Sequence, residues 1–397
     1  MTAAVTTRTV AMSESRESEA QAHDLVVIGA GVIGLAIAWR AAERGLRPLV
    51  LEAGEPGSGA TGVAAGMLAP ITEADFGEEA LLALNLASAR LYPDFVAELE
   101  AASGHVTGYR PTGALSVAVD RDQAEELERL HALQRSLGLD AHWLSARDCR
   151  ALEPGLSTGV VGGIEARGDH QVSPRLLVGA LRAALEREGG LVRPFARAES
   201  VAVEGGAAAG VVLESGEVVR ARTVVIAAGA YSATIGLPPG AAVPIRPVKG
   251  QILRLRGEAA EPVVSHIVRT PEVYAVPRAD GRLVVGATVE EKGFDATVTA
   301  GGVLELLRSA YEVLPQITEL ELVQASAGHR PATPDNQPVV GEGVLPGLVW
   351  ATGHWRNGVL LAPLTADAIV HLIAEGEVPP ELREFTPRRF SPVEVAP

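Results

Sequence analysis

The stretch Asp24-Leu-Val-Val-Ile-Gly-Ala-Gly-Val-Ile-Gly34, followed later by Glu52, constrains this chain more than any other feature. The apolar run 25–28 reads as a buried strand, and a second run, 48–51, ends at Glu52. Between them Gly29, Gly31 and Gly34 open an apolar-faced helix over residues 35–42. This is the strand, turn, helix, strand, acid order of a dinucleotide site. Glycines permit the tight turn and let a pyrophosphate approach the helix N-terminus, where free N–H groups and the helix dipole favour an anion. Glu52 is placed to take a ribose hydroxyl. A glycine-rich turn in some other α/β protein would leave Glu52 without a role.

Residues 53–70, Ala-Gly-Glu-Pro-Gly-Ser-Gly-Ala-Thr-Gly-Val-Ala-Ala-Gly-Met-Leu-Ala-Pro, are almost all small. A surface loop tolerates larger side chains, so the run points to backbone packed against something flat and bulky, a phosphate cradle or the wall of a ring system. A flexible linker would not carry the interleaved Val63, Met67 and Leu68.

The rest of the chain reads as alternating elements. Residues 78–103 form a long amphipathic helix, bent or broken at Pro93, and 122–137 and 145–152 form shorter helices. Ser173-Pro174 starts a helix to about 188, an N-cap with proline in the first turn. A hairpin spans 201–219 around Glu214-Ser-Gly216, and 223–229 is a continuous apolar strand suited to the centre of a parallel sheet. Strands follow at 251–255, 273–276 and 283–287, then a helix at 301–313, a buried strand at 348–353 and a final helix at 359–374. The expected fold is α/β: a discontinuous Rossmann-like dinucleotide-binding domain from residues 24–95, 160–235 and 328–380, and a second, mixed or antiparallel-sheet substrate domain from 96–159 and 236–327. Residues 381–397 read as a tail and 1–22 as a disordered leader, too polar for a signal peptide.

With 397 residues, two domains and a sizeable core are within reach. No apolar run approaches transmembrane length, and a net charge of −15 argues against nucleic acid or an anionic membrane as partner. Cys149 is the only cysteine, which excludes an intrachain disulfide and a multi-cysteine metal site. No metal is expected, and a reducing, cytoplasmic location is the default.

Further motifs complete a pattern: Ala64-Ala-Gly-Met-Leu68, Pro247-Val-Lys-Gly-Gln251, Tyr274-Ala-Val-Pro-Arg278, Leu283-Val-Val-Gly-Ala-Thr288, His329-Arg-Pro331 and Gly353-His-Trp-Arg-Asn-Gly-Val-Leu-Leu-Ala-Pro363. Together with the first motif, which countless nucleotide-binding proteins share, they resemble the D-amino-acid-oxidase superfamily of flavin-dependent amine oxidases, and within it the glycine-oxidising branch. The resemblance covers nearly all of residues 24–380, and its last two motifs are the most specific.

That resemblance implies non-covalent FAD held over the Gly29, Gly31 and Gly34 turn, with its adenosine and pyrophosphate against Val32, Ile33, Glu52 and Ala53. The flavin would touch Ala60, Thr61, Ala65, Gly66 and Met67 on one side. On the other it would meet the loop Gly353, His354, Trp355, Arg356, Asn357, Gly358, Val359 and Leu360. Arg330 matches the family's carboxylate-binding arginine, and Tyr274 and Arg356 match two more substrate positions. His329 stands where an apolar residue is common, and Val289 where a methionine can line the pocket. The implied partners are a small amine or amino acid and molecular oxygen, with no nucleic acid or membrane; family members are often homo-oligomers. The implied activity is oxidation of glycine and sarcosine-like amines to the imine and glyoxylate with hydrogen peroxide, in thiamine (thiazole) biosynthesis. A D-amino-acid or sarcosine oxidase, a quinone-linked dehydrogenase and a flavin-binding protein without turnover stay open. A nicotinamide enzyme fits the small-residue run and the C-terminal glycine loop poorly.

The chemistry explains the residue types. A guanidinium offers two parallel N–H donors to a carboxylate, so Arg330 is either that clamp or a surface ion-pair residue. Tyr274 either donates to the carboxylate or is a core tyrosine. Arg356 either faces the substrate or only holds its loop. A helix beginning near Asn357-Gly358 would aim N–H groups at the negative N1–C2=O edge of reduced flavin and raise its potential. Hydride transfer from Cα needs no general base once the amine is neutral. Asp169-His170 and His354 are therefore read as structural, a lone histidine being more often that than catalytic. Lys249, one of two lysines, is read as structural in preference to an oxygen-assisting role. Cys149 is remote from every flavin motif, so covalent attachment through it is not expected.

Overall fold

A computed structural model describes residues 23–390. The expected leader, 1–22, and the last part of the tail, 391–397, lie outside the described residues. No helix among the described residues is long and apolar enough to cross a membrane.

Strand β1 (His23–Ile28), helix α1 (Val32–Glu43) and strand β2 (Pro48–Leu51) form as the first motif requires. β1 lies between β2 and Val218–Ile226, parallel to both. The sheet continues through Leu191–Arg193 beyond β2, and through Leu348–Thr352 and the antiparallel edge Val339–Glu342 beyond Val218–Ile226. Residues 25–28, 48–51, 224–226 and 348–351 of its central strands read as unbroken apolar runs because both faces are covered there. Leu25 and Val27 face a core built from α1 and the helices Glu79–Ser103, Pro174–Arg187 and Ala362–Glu375. Val26 and Ile28 face the opposite core, under residues 196–245.

Three local expectations change. Pro93 does not break the Glu79–Ser103 helix. Burial of Tyr92, Phe95, Val96 and Leu99, with Phe95 edge-on to Trp39 at 5.5 Å, outweighs the one backbone bond a proline removes. The hairpin expected over 201–219 is part of a three-stranded meander, Ala198–Glu204, Ala207–Leu213 and Val218–Ile226. Its first turn is Gly205-Gly206, both with positive φ. The last long helix starts at Ala362, not at residue 359.

The second sheet has eight strands, in the order Glu321–Ala332, Arg246–Arg256, Arg282–Gly286, Tyr274–Pro277, Ile267–Arg269, Ala114–Ala118, Gly162–Ala166 and Ala141–Ser145. All neighbours are antiparallel except Ile267–Arg269 beside Ala114–Ala118. Sheet membership thus shifts two expected boundaries. Gly162–Ala166 pairs within this sheet, past residue 160, and Glu321–Ala332 carries it past 328. The first shift has a steric cause: a Cβ on Gly163 would stand 2.5 Å from Ser116 O, so a strand this close to its neighbour needs a residue that disguises it as loop. Helix Ala300–Val313 packs on one face of the sheet. Cys149 is fully buried in the same core, and burial pushes its thiol up to about 11.

Candidate active site

The two sheets enclose a cavity of about 670 Å³ that runs from the Gly29 turn to Arg330. At its N-terminal end the three glycines have three different reasons to be glycine. Gly29 has φ +109°, and a Cβ there would lie 2.6 Å from Ala227 O. A Cβ on Gly34 would overlap Gly29 O, so this glycine lets the helix close on the strand. Gly31 is extended (φ −77°), meets only Thr61 Oγ1 at 3.3 Å, and faces the cavity. Glu52 braces the turn from both sides: Ala30 N–H donates to Oε2 at 2.8 Å and Gly54 N–H to Oε1 at 2.9 Å. Thr61 Oγ1 accepts from Val32 N–H at 3.1 Å and caps α1. One of the N–H groups expected to face an anion is thus already engaged.

The small-residue run folds as a short helix, Ala60–Val63, and a two-residue strand, Met67–Leu68, paired with His170–Gln171. Gly66 (φ +76°) lies so close to Val172 O that a Cβ would overlap it. Close packing, not flexibility, therefore explains this composition. Ala60, Thr61, Ala65, Gly66 and Met67 all line the cavity, as do Gly29, Gly31, Val32, Ile33, Glu52 and Ala53.

The opposite wall is the turn after Leu348–Thr352. His354, Trp355, Arg356, Gly358 and Val359 line the cavity, whereas Gly34, Gly353, Asn357 and Leu360 are packed behind it. Asn357 acts through its carbonyl, which accepts from Leu361 N–H at 2.8 Å. The regular helix begins only at Ala362, so the dipole expected at Asn357-Gly358 comes from the turn that precedes it. The N–H groups of Gly358, Val359 and Leu360 find no acceptor among the described residues. Two side chains one turn apart on Glu79–Ser103 fix the other side of these peptides. Tyr92 Oη donates to Val359 O at 3.0 Å, and Ser88 Oγ to Leu360 O at 2.6 Å. Because C=O and N–H are antiparallel in a trans peptide, pulling the Val359 carbonyl toward Tyr92 turns the Leu360 N–H the other way.

At the far end, Arg330 sits in strand Glu321–Ala332 opposite Val248. Its Nη1 donates to Thr288 O (3.0 Å) and Lys249 O (3.4 Å), and its guanidinium lies 6.0 Å from the Trp355 ring centre. Gly250 lies beneath it, where a Cβ would overlap Nη1. Tyr274 lies across Gly286, where a Cβ would meet Tyr274 Oη at 2.5 Å. Burial pushes the Tyr274 phenol above its ordinary pKa, against the pull of the Arg330 charge, so it stays a proton donor. Arg356 is not free: it pairs with Glu78 at 3.1 Å and donates to Glu73 O at 3.2 Å. Arg269, which the sequence did not single out, donates to Thr72 O at 2.7 Å and stands 3.8 Å from Glu73. Arg197 pairs with Glu214. Among the described residues, Arg330 is therefore the one guanidinium lining the cavity without a carboxylate partner.

The other titratable candidates are held by contacts within the protein. His354 is buried against Thr365 Oγ1 (3.0 Å), and burial lowers its pKa to about 3. Asp169 accepts from Ile71 N–H, Thr72 N–H and Thr72 Oγ1 at 2.7–3.0 Å; burial raises its pKa to about 6. It anchors the segment that carries Glu73. Burial lowers the pKa of His170, whose ring stands edge-on to Tyr109. Lys249 is 1% exposed, lies 3.4 Å from both Glu290 and Asp295, and does not line the cavity. Val289 and His329 do line it; His329 stands edge-on to Tyr231 and Phe294. Ser88 and Tyr92 had a legible signal, polar groups four apart on a core-facing helix. Glu73 and Arg269 had none.

The long cavity fits an extended dinucleotide ending in a ring system. It offers a glycine turn at which a Cβ on Gly31 would enter the cavity, an acid beside it, small-residue walls, and N–H groups without an acceptor among the described residues on the opposite turn. Over residues 24–372 the chain matches the family described as FAD dependent oxidoreductase. It is 34% identical to a glycine oxidase of Geobacillus kaustophilus, over 92% of this chain and 96% of that one. The crystal structure of a glycine oxidase from the same organism superposes with a TM-score of 0.86, covering 92% of this chain and 98% of that chain at 34% identity. A bifunctional protein ThiO/ThiG of Trichormus variabilis is 36% identical over 93% of this chain, which spans only 55% of that relative's length.

Proposed function

The chain belongs to the family of FAD-dependent oxidoreductases and uses FAD, and from that premise we propose that it oxidises glycine and small N-substituted glycines such as sarcosine to the corresponding imine. Water then hydrolyses the imine to glyoxylate, releasing ammonia from glycine or methylamine from sarcosine, and oxygen as final acceptor yields hydrogen peroxide. Bound FAD supplies the acceptor for the hydride equivalent leaving Cα and returns the electrons to oxygen.

The observation that carries this reading is the Arg330 guanidinium, without a carboxylate partner among the described residues, at the far end of a cavity that begins at a dinucleotide turn. Arg356 and Arg269 are neutralised by Glu78 and Glu73, so one cation is left for one carboxylate. A single α-carboxylate is what glycine presents. Tyr274, held protonated by burial, donates to the same carboxylate or closes over it. Trp355 places an apolar face beside the Arg330 charge. His354 is a poor acceptor for a proton from the amine, since burial lowers its pKa to about 3 and its ring is turned to Thr365. A substrate amine that arrives neutral needs no such acceptor.

The ThiO name of the bifunctional relatives supports a role in thiamine biosynthesis. The lone cysteine supports work in a reducing cytoplasm, and the family resemblance supports a homo-oligomer. The test is a panel of glycine, sarcosine and D-amino acids on the purified protein. Anaerobic glycine is expected to bleach the flavin absorbance, with peroxide formed stoichiometrically in air. Absence of bleaching, or an Arg330→Ala variant that handles glycine like the parent, overturns the reading. Bleaching without peroxide assigns a dehydrogenase instead.

A further inference from the structure

Arg330 does not position itself. Its Nη1 rests on two main-chain carbonyls, those of Thr288 and Lys249, which belong to different segments. We propose that a polar cluster centred on Glu290 fixes these two carbonyls and so sets the position of the guanidinium, making Glu290 and Lys249 positioning residues for recognition of the substrate carboxylate. The proposal rests on the carboxylate-binding reading of Arg330.

The ladder between Arg246–Arg256 and Arg282–Gly286 ends at the pair Ile252–Gly286, so regular strand pairing does not reach Thr288. Beyond the ladder one long main-chain bond, from Thr288 N–H to Gln251 O at 3.3 Å, holds Thr288, and side chains reinforce it. Glu290 Oε1 accepts from Thr288 Oγ1 at 2.6 Å and from Gln251 Nε2 at 2.7 Å, and Oε2 lies 3.4 Å from Lys249 Nζ. Thr288 Oγ1 in turn accepts from Gln251 N–H at 2.9 Å. Gln251 completes its own amide on Thr299, accepting from its N–H and donating to its Oγ1. The main chains of Lys249 and Glu290 exchange both N–H···O bonds at 2.9 Å, an isolated bridge beyond the ladder.

Charge fits the same assignment. Lys249 is buried between two carboxylates, Glu290 and Asp295, and an unpaired charge there would be strongly unfavourable. Removing either Glu290 or Lys249 leaves the other under-compensated and loosens the bridge on which Arg330 sits. Neither side chain contacts the guanidinium, and Lys249 does not line the cavity. Their influence on substrate must therefore pass through the two carbonyls.

The experiment uses FAD-loaded Glu290→Gln and Lys249→Met, with parent and Arg330→Ala. Acetate, a carboxylate without an amine, is titrated through its perturbation of the bound flavin spectrum, and KM and kcat are measured for glycine. Both variants are expected to weaken acetate and raise KM about tenfold, the scale of one misaligned charge-assisted hydrogen bond, with kcat changed much less. Parent-like acetate affinity and KM, while Arg330→Ala loses acetate, overturn the positioning role alone. Parent-like acetate binding by Arg330→Ala overturns the carboxylate reading and this proposal with it. If either charge variant fails to fold, Thr288→Val decides. It removes only the hydroxyl link and is expected to weaken acetate about threefold with unchanged FAD content; an unchanged acetate affinity overturns the proposal.

Discussion

Changing the three turn glycines to alanine one at a time separates architecture from cofactor recognition. In Gly34→Ala the new methyl overlaps Gly29 O and stands 3.1 Å from Val27 Cγ1. α1 cannot retreat, because ten of its twelve residues are buried and it packs on Pro174–Arg187 and Ala362–Glu375. The obstacle is backbone, so apoprotein stability should fall by about 3 kcal/mol, the upper end of overpacking effects. Gly29→Ala adds strain of about 1–3 kcal/mol from φ +109° to a contact of 2.6 Å and should fall at least as far. Gly31→Ala differs: φ −77° and ψ 179° suit alanine, and the nearest atom is the Thr61 hydroxyl at 3.3 Å. Loss of glycine's unfolded-state freedom, about 0.4–1 kcal/mol, offsets a small shift of Thr61, so stability should change by less than about 1 kcal/mol. The methyl does enter the cavity where a pyrophosphate approaches, and FAD should bind about tenfold or more weakly. Urea unfolding of the apoproteins and quenching of FAD fluorescence measure the two effects separately. The reasoning fails if Gly31→Ala destabilises the apoprotein as much as Gly34→Ala, or if Gly34→Ala leaves it unchanged.

Other consequences are simpler to state. Tyr92→Phe combined with Ser88→Ala releases the Val359 and Leu360 carbonyls, about 1 kcal/mol for each lost hydrogen bond, and should weaken sulfite binding to the bound flavin; an unchanged sulfite affinity contradicts the role given to this turn. His354→Asn should leave the pH dependence of activity in place, since His354 is neutral throughout the working range, and activity should rise into the alkaline range as substrate amine deprotonates. A profile that moves with His354, or stays flat, contradicts this. Asp169 has a folded pKa raised from 3.8 to about 6, so its contribution to stability is fully present below 3.8 and is lost as pH rises through about 6. Asp169→Asn should flatten stability across that window, as read by thermal unfolding at a series of pH values; an unaltered slope means the residue does not titrate there.

What could be read from sequence depended on how local the cause was. The nucleotide turn was legible because Gly29, Gly34 and Glu52 act within one strand–helix–strand unit. The central strand over 223–226 was legible because a doubly covered parallel strand must be continuously apolar. Gly162–Ala166 and the Gly205-Gly206 turn were missed for one reason, that glycine in a sheet serves close approach or a tight reversal and gives no apolar signal. Arg330 was found through its motif, and its lack of a carboxylate partner emerged only in three dimensions. The pairing of Arg356 with Glu78 joins residues 278 positions apart, and no pattern in either segment announces it. The start of the last helix was misjudged because residues 359–361 carry helix-compatible apolar side chains while the Val359 and Leu360 carbonyls bond to Tyr92 and Ser88 instead of extending the helix.

The burial of Cys149 bears on how long such a catalyst lasts. Peroxide attacks the thiolate form of cysteine, and a thiol with a pKa near 11 keeps only about one part in ten thousand as thiolate at neutral pH. Fully enclosed beneath the second sheet, it is also out of reach of the solvent into which the product escapes. The chain thus shields its one thiol from any peroxide that the proposed oxidase reaction would release, while the Met67 sulfur lies in the cavity wall.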